Sequence, residues 1–408
     1  MYRKFNADQL FTGYGLLDNG NVLITDNGGK IIDIVAVAEA GDDVQHFNGI
    51  LSPGFINAHC HLELSHMKGR IPGGTGLVDF VIKVISERHF REEEILNAIE
   101  MADQEMYLQG IVAVGDICNT AFTISQKQTT KLRYHNFIEA SGFPSSIAEL
   151  RFQRSLDLYN RYSLPCPDNS IVPHAPYSVS PELFSLINAY PSNKVLSIHN
   201  QETAAENELF ENRKGDFLRL YEKLGIDISN FKSSGKTSLQ TYLPYLKKYE
   251  SLILVHNVFT NAADISFVKS HTSGIIHQPS VFYCLCPGAN LYISNSLPDV
   301  SLFTQLPSAT SATLSTAADG ITNIVLGTDS LASNHQLSIL EEMKILQQYF
   351  PTLLTETLLQ WATINGARAL KMDGDLGSFE KGKSPGLIII DHLEQNTLTT
   401  NSTVKRIL

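Results

Sequence analysis

Residues 52–63 read SPGFINAHCHLE, and this stretch is the most informative of the chain for its architecture. A short apolar run from Phe55 to Ala58 leads into His59 and His61, which stand two residues apart. On a β-strand, residues two apart point to the same face, so both imidazoles can bind one metal ion. Taken alone, the pair could equally be the polar end of a buried strand. Its significance comes from seven further apolar runs along the chain.

Eight such runs alternate with longer segments of helical pattern. The first precedes His59, and the others are Ile111–Val114, Tyr134–Ile138, Ser170–Val172, Val195–Ile198, Leu252–Val255, Val281–Leu285 and Ile324–Leu326. Between the first two runs, Ile95, Ile99, Ala102 and Met106 follow one face of a helix that Gly110 ends. Alternating strands and helices predict a parallel sheet, and eight units favour a closed barrel. We therefore predict an α/β fold with a (β/α)8 TIM-like barrel over residues 53–373.

Both ends of the chain have the pattern of β-structure. Near the start, two runs rich in β-branched residues flank Asp26-Asn27-Gly28-Gly29, which is typical of a hairpin turn. Near the end, Leu387–Ile390 is a similar run. We predict that residues 1–52 and 374–408 together form a small composite β-sandwich domain. The stretch from Asn295 to Gly320 is rich in Ser and Thr and predicts a loop plus a helix.

Polar residues that are common in active sites follow the apolar runs. They are His59, His61, Asp116, His174, His199, Glu202, His256 and Asp329. In a (β/α)8 barrel, catalytic groups collect at the carboxyl ends of the strands. Singly, each residue has an ordinary explanation, such as a hydrogen-bonded core histidine, a solvated loop carboxylate at Glu202 or a helix cap at Asp329. Together, three imidazoles and one carboxylate suit one Zn²⁺ or Fe²⁺ ion with a position left for water.

The composition limits the class of protein. With 43% hydrophobic and 18% charged residues among 408, the chain has the composition of an ordinary enzyme. Its net charge of -11 argues against a nucleic acid or an anionic membrane as partner. Five cysteines do not form a disulfide framework. Cys284 and Cys286 are two apart on a predicted strand, and we interpret them as small buried residues, because no further cysteines lie near them in the sequence to complete a metal site. With no apolar leader and no run of membrane-spanning length, we predict a cytoplasmic protein.

The entry stretch 52–63 resembles the PGFxNxHxHL motif of the amidohydrolase superfamily. Residues 377–383, GSFEKGK, are similar to a second signature of that family, although Pro385-Gly386 replaces its usual Ala-Asp. The resemblance implies a metal site formed by His59, His61, His199 and Asp329. Members with two metals bridge them with a Lys or Glu on the fourth strand. Residues 169–180 contain neither, which favours a single metal ion.

Further motifs resemble one branch of this superfamily, the nucleobase and nucleoside deaminases. His199-Asn200-Gln201-Glu202 matches their HxxE motif, and His256 matches a histidine of their sixth strand. The resemblance implies catalytic roles for Glu202 as proton donor, His256 as hydrogen-bond donor and Asp329 as proton acceptor. The stretch Cys286–Asn290, CPGAN, resembles the motif CPxSN, with Ala289 in place of Ser.

Two short stretches, HLELS at 61–65 and AVGDI at 113–117, look like the aminodeoxyfutalosine deaminases. This resemblance implies a purine nucleoside carrying a benzoate, with 6-amino-6-deoxyfutalosine as the expected substrate. The expected substrate contacts are His174, Glu63, Asp116, Arg88 and Ser330. Arg70 is an alternative to Arg88 as partner for a carboxylate, and either arginine could instead be a solvated surface residue.

Other functions stay open at this stage. They include a guanine- or cytosine-type deaminase, a triazine chlorohydrolase and a cyclic amide hydrolase. A binding protein without activity could use the same scaffold, because fold does not imply function. Nucleic-acid editing is disfavoured because the HxE and PCxxC signature of those deaminases is missing. From the family, we also expect a homodimer.

Overall fold

The computed structural model describes residues 2–275, 279–304 and 323–408. The expected loop and helix between Asn295 and Gly320 therefore lie outside the described residues from position 305 onward. Within the described part, Val300–Leu302 form a single 3-10 turn. Among the described helices, none is both long and apolar enough to cross a membrane.

The described strands fall into three groups along the chain. The first five are β1 (Tyr2–Phe11), β2 (Leu16–Asp18), β3 (Asn21–Asp26), β4 (Ile31–Ala36) and β5 (Val44–Ser52). Eight follow: β6 (Phe55–Cys60), β7 (Ile111–Cys118), β8 (Arg133–Ala140), β9 (Asn169–Pro173), β10 (Val195–Asn200), β11 (Ser251–His256), β12 (Ser280–Leu285) and β13 (Ile324–Leu326). The last two are β14 (Ile388–Asp391) and β15 (Thr403–Arg406). All eight strand candidates of the barrel are confirmed.

Strands β6 to β13 form the predicted barrel from two parallel halves. One half has the order β6-β7-β8-β9 and the other β10-β11-β12-β13. Between the halves, His199 N donates to His174 O at 3.0 Å on one side. On the other side Cys60 and Asp329 form a parallel bridge, and Thr328 N donates to His59 O at 3.0 Å. The ends of β6, β10 and β13 are thereby brought together.

Asn57 holds the first barrel strand against the last. Its side chain is buried, donates to Thr328 Oγ1 at 2.7 Å and accepts from Thr328 N at 3.1 Å. Gly327 lies so close that a Cβ there would be 2.8 Å from the Cβ of His59. Only glycine fits this approach, so the backbone of His59 and that of Asp329 are fixed side by side.

The strands at the two ends of the chain join in one seven-stranded sheet. Its order is β15-β14-β5-β1-β3-β4, and β2 pairs with β1. The hairpin predicted around Asp26 connects β3 and β4, where Gly28 N donates to Asp26 Oδ1 at 2.8 Å. β5 ends at Ser52 and β6 begins at Phe55, which fits the domain boundary that we propose between residues 52 and 53.

Helices connect the strands and cover the barrel. They are α1 (Val37–Ala40), α2 (Leu77–Glu87), α3 (Glu92–Leu108), α4 (Ile124–Thr129), α5 (Ala148–Ser163), α6 (Pro181–Ala189), α7 (Ala204–Asn212), α8 (Phe217–Leu224), α9 (Ser238–Tyr242), α10 (Ala262–Ser273), α11 (Pro287–Ser294), α12 (Ile339–Tyr349), α13 (Thr355–Gln360) and α14 (Gly366–Ala369). In α3 the predicted apolar face is buried, and Gly110 follows with a φ of +82°.

Candidate active site

Four predicted ligands meet at the carboxyl ends of three barrel strands. His59 lies next to the last residue of β6 with His61 just beyond the strand, His199 lies on β10, and Asp329 follows β13. His61 Nε2 lies 3.2 Å from His199 Nε2 and 3.3 Å from Asp329 Oδ1. His59 Nε2 lies 3.5 Å from the same Asp329 oxygen. One ligand atom from each residue falls within 4.8 Å of all the others.

The surroundings of His59 fit a bound cation. His59 is fully buried, yet neither ring nitrogen has a hydrogen-bond partner among the described residues. Buried polar nitrogens without a partner are unfavourable, so such a group needs an explanation. Three imidazoles and one carboxylate, all buried, are a donor set that suits Zn²⁺ or a similar divalent ion. The four side chains could therefore hold one metal ion.

Neighbouring groups orient two of these ligands. His199 Nδ1 donates to His174 O at 2.8 Å, which leaves Nε2 of His199 free to bind a metal. Asp329 Oδ2 accepts from Ser333 Oγ at 2.6 Å, and the hydroxyl of Ser330 lies 2.8 Å from that of Ser333. Ser330, predicted as a substrate contact, thus lies behind the carboxylate of Asp329. Burial acts to raise the pKa of Asp329, but the histidines outweigh it and hold the pKa well below its usual value.

Glu202 and His256, two of the three predicted catalytic residues, lie together. Glu202 Oε2 is 3.6 Å from His256 Nε2, and Glu202 Oε1 is buried without a partner among the described residues. Burial raises the pKa of Glu202 well above its ordinary value, and the charges of Asp329 and Glu206 add to the shift. Burial also lowers the pKa of His256 to about 3. At neutral pH the imidazole of His256 is neutral, and burial favours the protonated form of the Glu202 carboxyl group.

Asn290 sets the tautomer of His256, a role that the sequence did not show. Its side-chain amide donates to His256 Nδ1 at 3.0 Å, so the proton of the neutral ring resides on Nε2. The CPGAN motif at Cys286–Asn290 was visible in the sequence, but nothing in it indicated His256 as the partner. The structure adds this contact because α11 starts beside the end of β11.

His174 lies beside the metal-ligand group and pairs with a residue that sequence reasoning missed. Its Nδ1 is 2.7 Å from Oε1 of Glu139, near the end of β8. Burial acts to raise the pKa of Glu139, but His174 outweighs it and the pKa falls well below the ordinary value. The available signal was position, because Glu139 directly follows the predicted strand Tyr134–Ile138.

The other expected substrate contacts are placed differently. Glu63 accepts from the backbone amides of Asn119 and Thr120 and from Thr120 Oγ1 at 2.7 Å, so it organises the loop after β7. Burial raises the pKa of Glu63 to about 7. Arg88 is half-buried and, among the described residues, its guanidinium forms no ion pair within 4 Å, although its positive charge acts to lower the pKa of Glu63. Arg70 is exposed, with its guanidinium 5.2 Å from the centre of the Phe90 ring.

Asp116, also expected to contact substrate, is engaged in a buried ion pair. Its Oδ2 lies 2.5 Å from Lys127 Nζ, and its Oδ1 accepts from Leu62 N at 2.8 Å. Lys127 also donates to Asn136 Oδ1 at 2.6 Å. Both carboxylate oxygens already have protein partners, so the structure gives Asp116 a structural role in place of the expected substrate contact. The pairing residue Lys127 comes from α4, which the sequence pattern did not place against the strand.

We expect Lys127→Met to lower the free energy of unfolding by ~3–5 kcal/mol, because it leaves the buried Asp116 charge without its partner. Denaturant-induced unfolding monitored by circular dichroism measures this. Lys131→Met, at an exposed position four residues on, is the matched control and should change stability by less than ~0.5 kcal/mol. Equal stability of the two variants would contradict the structural role of the pair.

The chain belongs to the amidohydrolase family, whose sequence profile matches residues 50–407. The adenosine deaminase of Helicobacter pylori is 29% identical over 360 residues, covering 86% of this chain and 81% of that protein. The aminodeoxyfutalosine deaminase of a Nitratiruptor species is 25% identical over 360 residues, covering 84% and 79%. The predicted family is thereby confirmed, as is the class of enzyme that the resemblance to deaminases implies, a hydrolase that acts on non-peptide C–N bonds.

Solved structures share the whole fold. The aminofutalosine deaminase of Helicobacter pylori, in complex with methylthio-coformycin, aligns with a TM-score of 0.75 at 22% identity and covers 97% of this chain and 93% of that one. A mutant atrazine chlorohydrolase from Arthrobacter aurescens, complexed with zinc and atraton, aligns with a TM-score of 0.70 at 18% identity, covering 96% and 88%. The predicted barrel with a separate β-domain is confirmed by this likeness.

Proposed function

We propose that the protein is a metal-dependent hydrolytic deaminase that releases ammonia from an adenosine-like purine nucleoside. The observation that supports this most is the carboxyl group of Glu202. It is buried and has one oxygen without a partner among the described residues, and it lies 3.6 Å from His256 beside the metal-ligand group. Burial raises the pKa of this carboxyl group, and a carboxyl group with a raised pKa can deliver a proton to a substrate ring nitrogen.

We further propose that His59, His61, His199 and Asp329 bind one divalent ion, with Zn²⁺ as the first candidate and Fe²⁺ as the second. When bound, such an ion lowers the pKa of a water toward ~7 and so supplies a nucleophile at neutral pH. Imidazole and carboxylate suit both metals. The zinc in the structure of the atrazine chlorohydrolase supports the order of preference.

Glu202 and His256 have complementary roles in the reaction, one as a proton donor to the ring and the other as a hydrogen-bond donor to the developing negative charge. Glu202 gives its proton to the ring nitrogen beside the amine-bearing carbon, which makes that carbon electrophilic. Water adds to the carbon, and Asp329 accepts a proton from that water. His256 Nε2–H donates a hydrogen bond to the oxygen as negative charge develops there, a kind of contact worth ~3 kcal/mol.

The reaction ends with cleavage of the C–N bond. The added hydroxyl group gives its proton to the ionised Glu202, and the amine takes up the proton held by Asp329 and leaves as ammonia. The water oxygen remains on the ring as a carbonyl, and both carboxyl groups return to their starting states. Each residue needs a defined proton position, and the structure supports those positions by burial of Glu202 and by the Asn290 contact with His256. His256 is therefore suited to donate hydrogen bonds, because it stays neutral with its proton on Nε2.

For the substrate we propose 6-amino-6-deoxyfutalosine. The support is the similarity to the Nitratiruptor aminodeoxyfutalosine deaminase and the two short sequence stretches that resemble that group. Arg88, half-buried and without an ion pair to a described residue, is the proposed partner of the substrate carboxylate. His174 is the proposed contact to the nucleoside.

The second candidate is removal of chloride from a triazine, favoured by the fold likeness to the atrazine chlorohydrolase. Such an enzyme would use the same metal ligands but release chloride in place of ammonia. The product released by the protein therefore separates the two functions.

We expect the zinc-loaded protein to release ammonia from one purine nucleoside with kcat/KM above ~10⁴ M⁻¹s⁻¹, an ordinary value for an enzyme acting on its own substrate. The panel contains 6-amino-6-deoxyfutalosine, adenosine, a 5′-thioadenosine, adenine, guanine, cytosine and atrazine, with ammonia and chloride both measured. If the metal-loaded protein released no ammonia from any of the amines, the proposed deaminase function would be contradicted. A preference for adenosine over 6-amino-6-deoxyfutalosine would overturn only the proposed substrate.

A further inference from the structure

A buried carboxylate lies behind two histidines of the site. Oε1 of Glu139 is 2.7 Å from His174 Nδ1 and 3.7 Å from His199 Nδ1. Its other oxygen, Oε2, accepts from the side-chain amide of Asn119 at 2.7 Å. The side chain of Glu139 is 2% exposed, whereas that of His174 is 25% exposed. Glu139 therefore supports His174 from the protein side, and His174 turns its other edge outward.

Glu139, His174 and His199 are close enough to resemble a second metal site. The hydrogen bonds argue against one. His199 Nδ1 donates to His174 O at 2.8 Å, so that nitrogen holds a proton and has no lone pair for a metal. The same reasoning applies to His174 Nδ1, which faces a carboxylate at hydrogen-bond distance. Glu139, His174 and His199 are therefore linked by hydrogen bonds, and their arrangement does not suit a second metal ion.

His174 is fixed by both its backbone and its ring. Its carbonyl accepts from the ring of His199 and from the backbone amide of His199 at 3.0 Å, and its own amide donates to Ala140 O at 3.2 Å. The ring packs against the rings of His199 and Tyr177, at centroid distances of 4.7 and 6.2 Å, but its hydrogen bond among the described residues is the one with Glu139. Without that contact, rotation of the ring would exchange the positions of Nδ1 and the neighbouring carbon.

We propose that Glu139 is a positioning residue, which holds His174 with its proton on Nδ1 so that Nε2 is presented to the substrate. The inference rests on the proposed function, because it assumes that His174 contacts the nucleoside. Since Glu139 shares a hydrogen-bonded chain with His199, it also ties the substrate contact to a proposed metal ligand. Loss of such an outer contact typically lowers activity ~10–100-fold.

We expect Glu139→Ala to lower kcat/KM ~10–100-fold, mainly by raising KM, because a contact to bound substrate is weakened. Glu139→Gln keeps an oxygen that can accept from Nδ1–H and should recover most of that loss. In a double-mutant cycle, Glu139→Ala should change the activity of His174→Ala by less than ~3-fold. If the losses caused by Glu139→Ala and His174→Ala multiplied in the double variant, the two residues would act independently and the proposal would be overturned. Full activity of Glu139→Ala would also overturn it. Asp103→Ala removes another buried carboxylate, one bonded to Tyr134, and should leave KM unchanged.

A measurement without substrate separates this inference from the proposed function. In the zinc-loaded full chain with ¹⁵N-labelled histidine, His174 should show a proton on Nδ1, assigned by its loss in His174→Gln. That signal should persist in Glu139→Gln and disappear in Glu139→Ala. A proton on Nε2 alone in the wild type would overturn the positioning role. A second equivalent of metal, lost in Glu139→Ala, would overturn it in favour of a second metal site.

Discussion

Replacement of Glu202 by Gln should lower kcat by about 10³-fold while the protein keeps one metal ion per chain. The amide has nearly the same size as the carboxyl group and can still donate a hydrogen bond, but it cannot give up a proton to the substrate. The effect should therefore fall on the chemical step. Steady-state kinetics on the nucleoside identified from the panel, together with elemental analysis of the purified variant, measure both quantities.

The result depends on where Glu202 lies. Its carboxyl group is buried and contacts His256, whereas none of the four proposed ligands approaches it closely enough to form a hydrogen bond among the described residues. Metal binding should hence be insensitive to the change. Glu208→Gln, an exposed position on α7, is the matched control and should retain activity within ~2-fold. A Glu202→Gln variant with normal kcat would show that another group supplies the proton.

The barrel and the meeting of the four proposed metal ligands at one rim could be predicted from sequence because both depend on local patterns. A short apolar run predicts a strand, and in a parallel barrel all strands end at the same rim. Residues such as His199 and Asp329, which are far apart in sequence, must then meet if each follows a strand. The hydrogen bonds of Asn57 with Thr328 fix β6 against β13, and so hold the strand of His59 next to the segment that contains Asp329.

The residues that sequence reasoning missed share a different property. Glu139 and His174 are 35 positions apart, and Asn290 and His256 are 34 positions apart, on neighbouring units of the barrel. Alternation along a strand predicts which face a residue occupies but not which side chain of the next unit it meets. Asp116 illustrates the converse, because it lies near the end of β7 like the proposed site residues but is paired by Lys127.

We expect His59→Ala to reduce bound metal from one ion per chain to below ~0.1 and activity to below ~1% of the wild type, because the proposed ion supplies the nucleophile. The metal-free wild type should gain stability on addition of Zn²⁺, by ~2.7 kcal/mol at a hundred-fold excess over Kd, whereas the variant should not. Thermal unfolding with and without Zn²⁺ measures this response without any substrate. The two readouts together test the metal site separately from the proposed reaction.

Burial of His59 makes a control necessary, because its removal also leaves a cavity in a closely packed strand. His135→Ala removes another buried histidine, on β8, whose Nε2 lies 3.0 Å from Ser170 Oγ. It should lower stability but keep the metal and its stabilising effect. His61→Ala, at the rim of the barrel and slightly exposed, provides a second removal of a ligand with less disturbance of the core. If both His59→Ala and His61→Ala bound a full equivalent of metal, the four-residue site would be wrong. If both variants lost the ion while His135→Ala kept it, the metal would be located at the carboxyl end of β6. A metal ion at this position would give the buried ring nitrogens of His59, which have no hydrogen-bond partner among the described residues, a bonding partner.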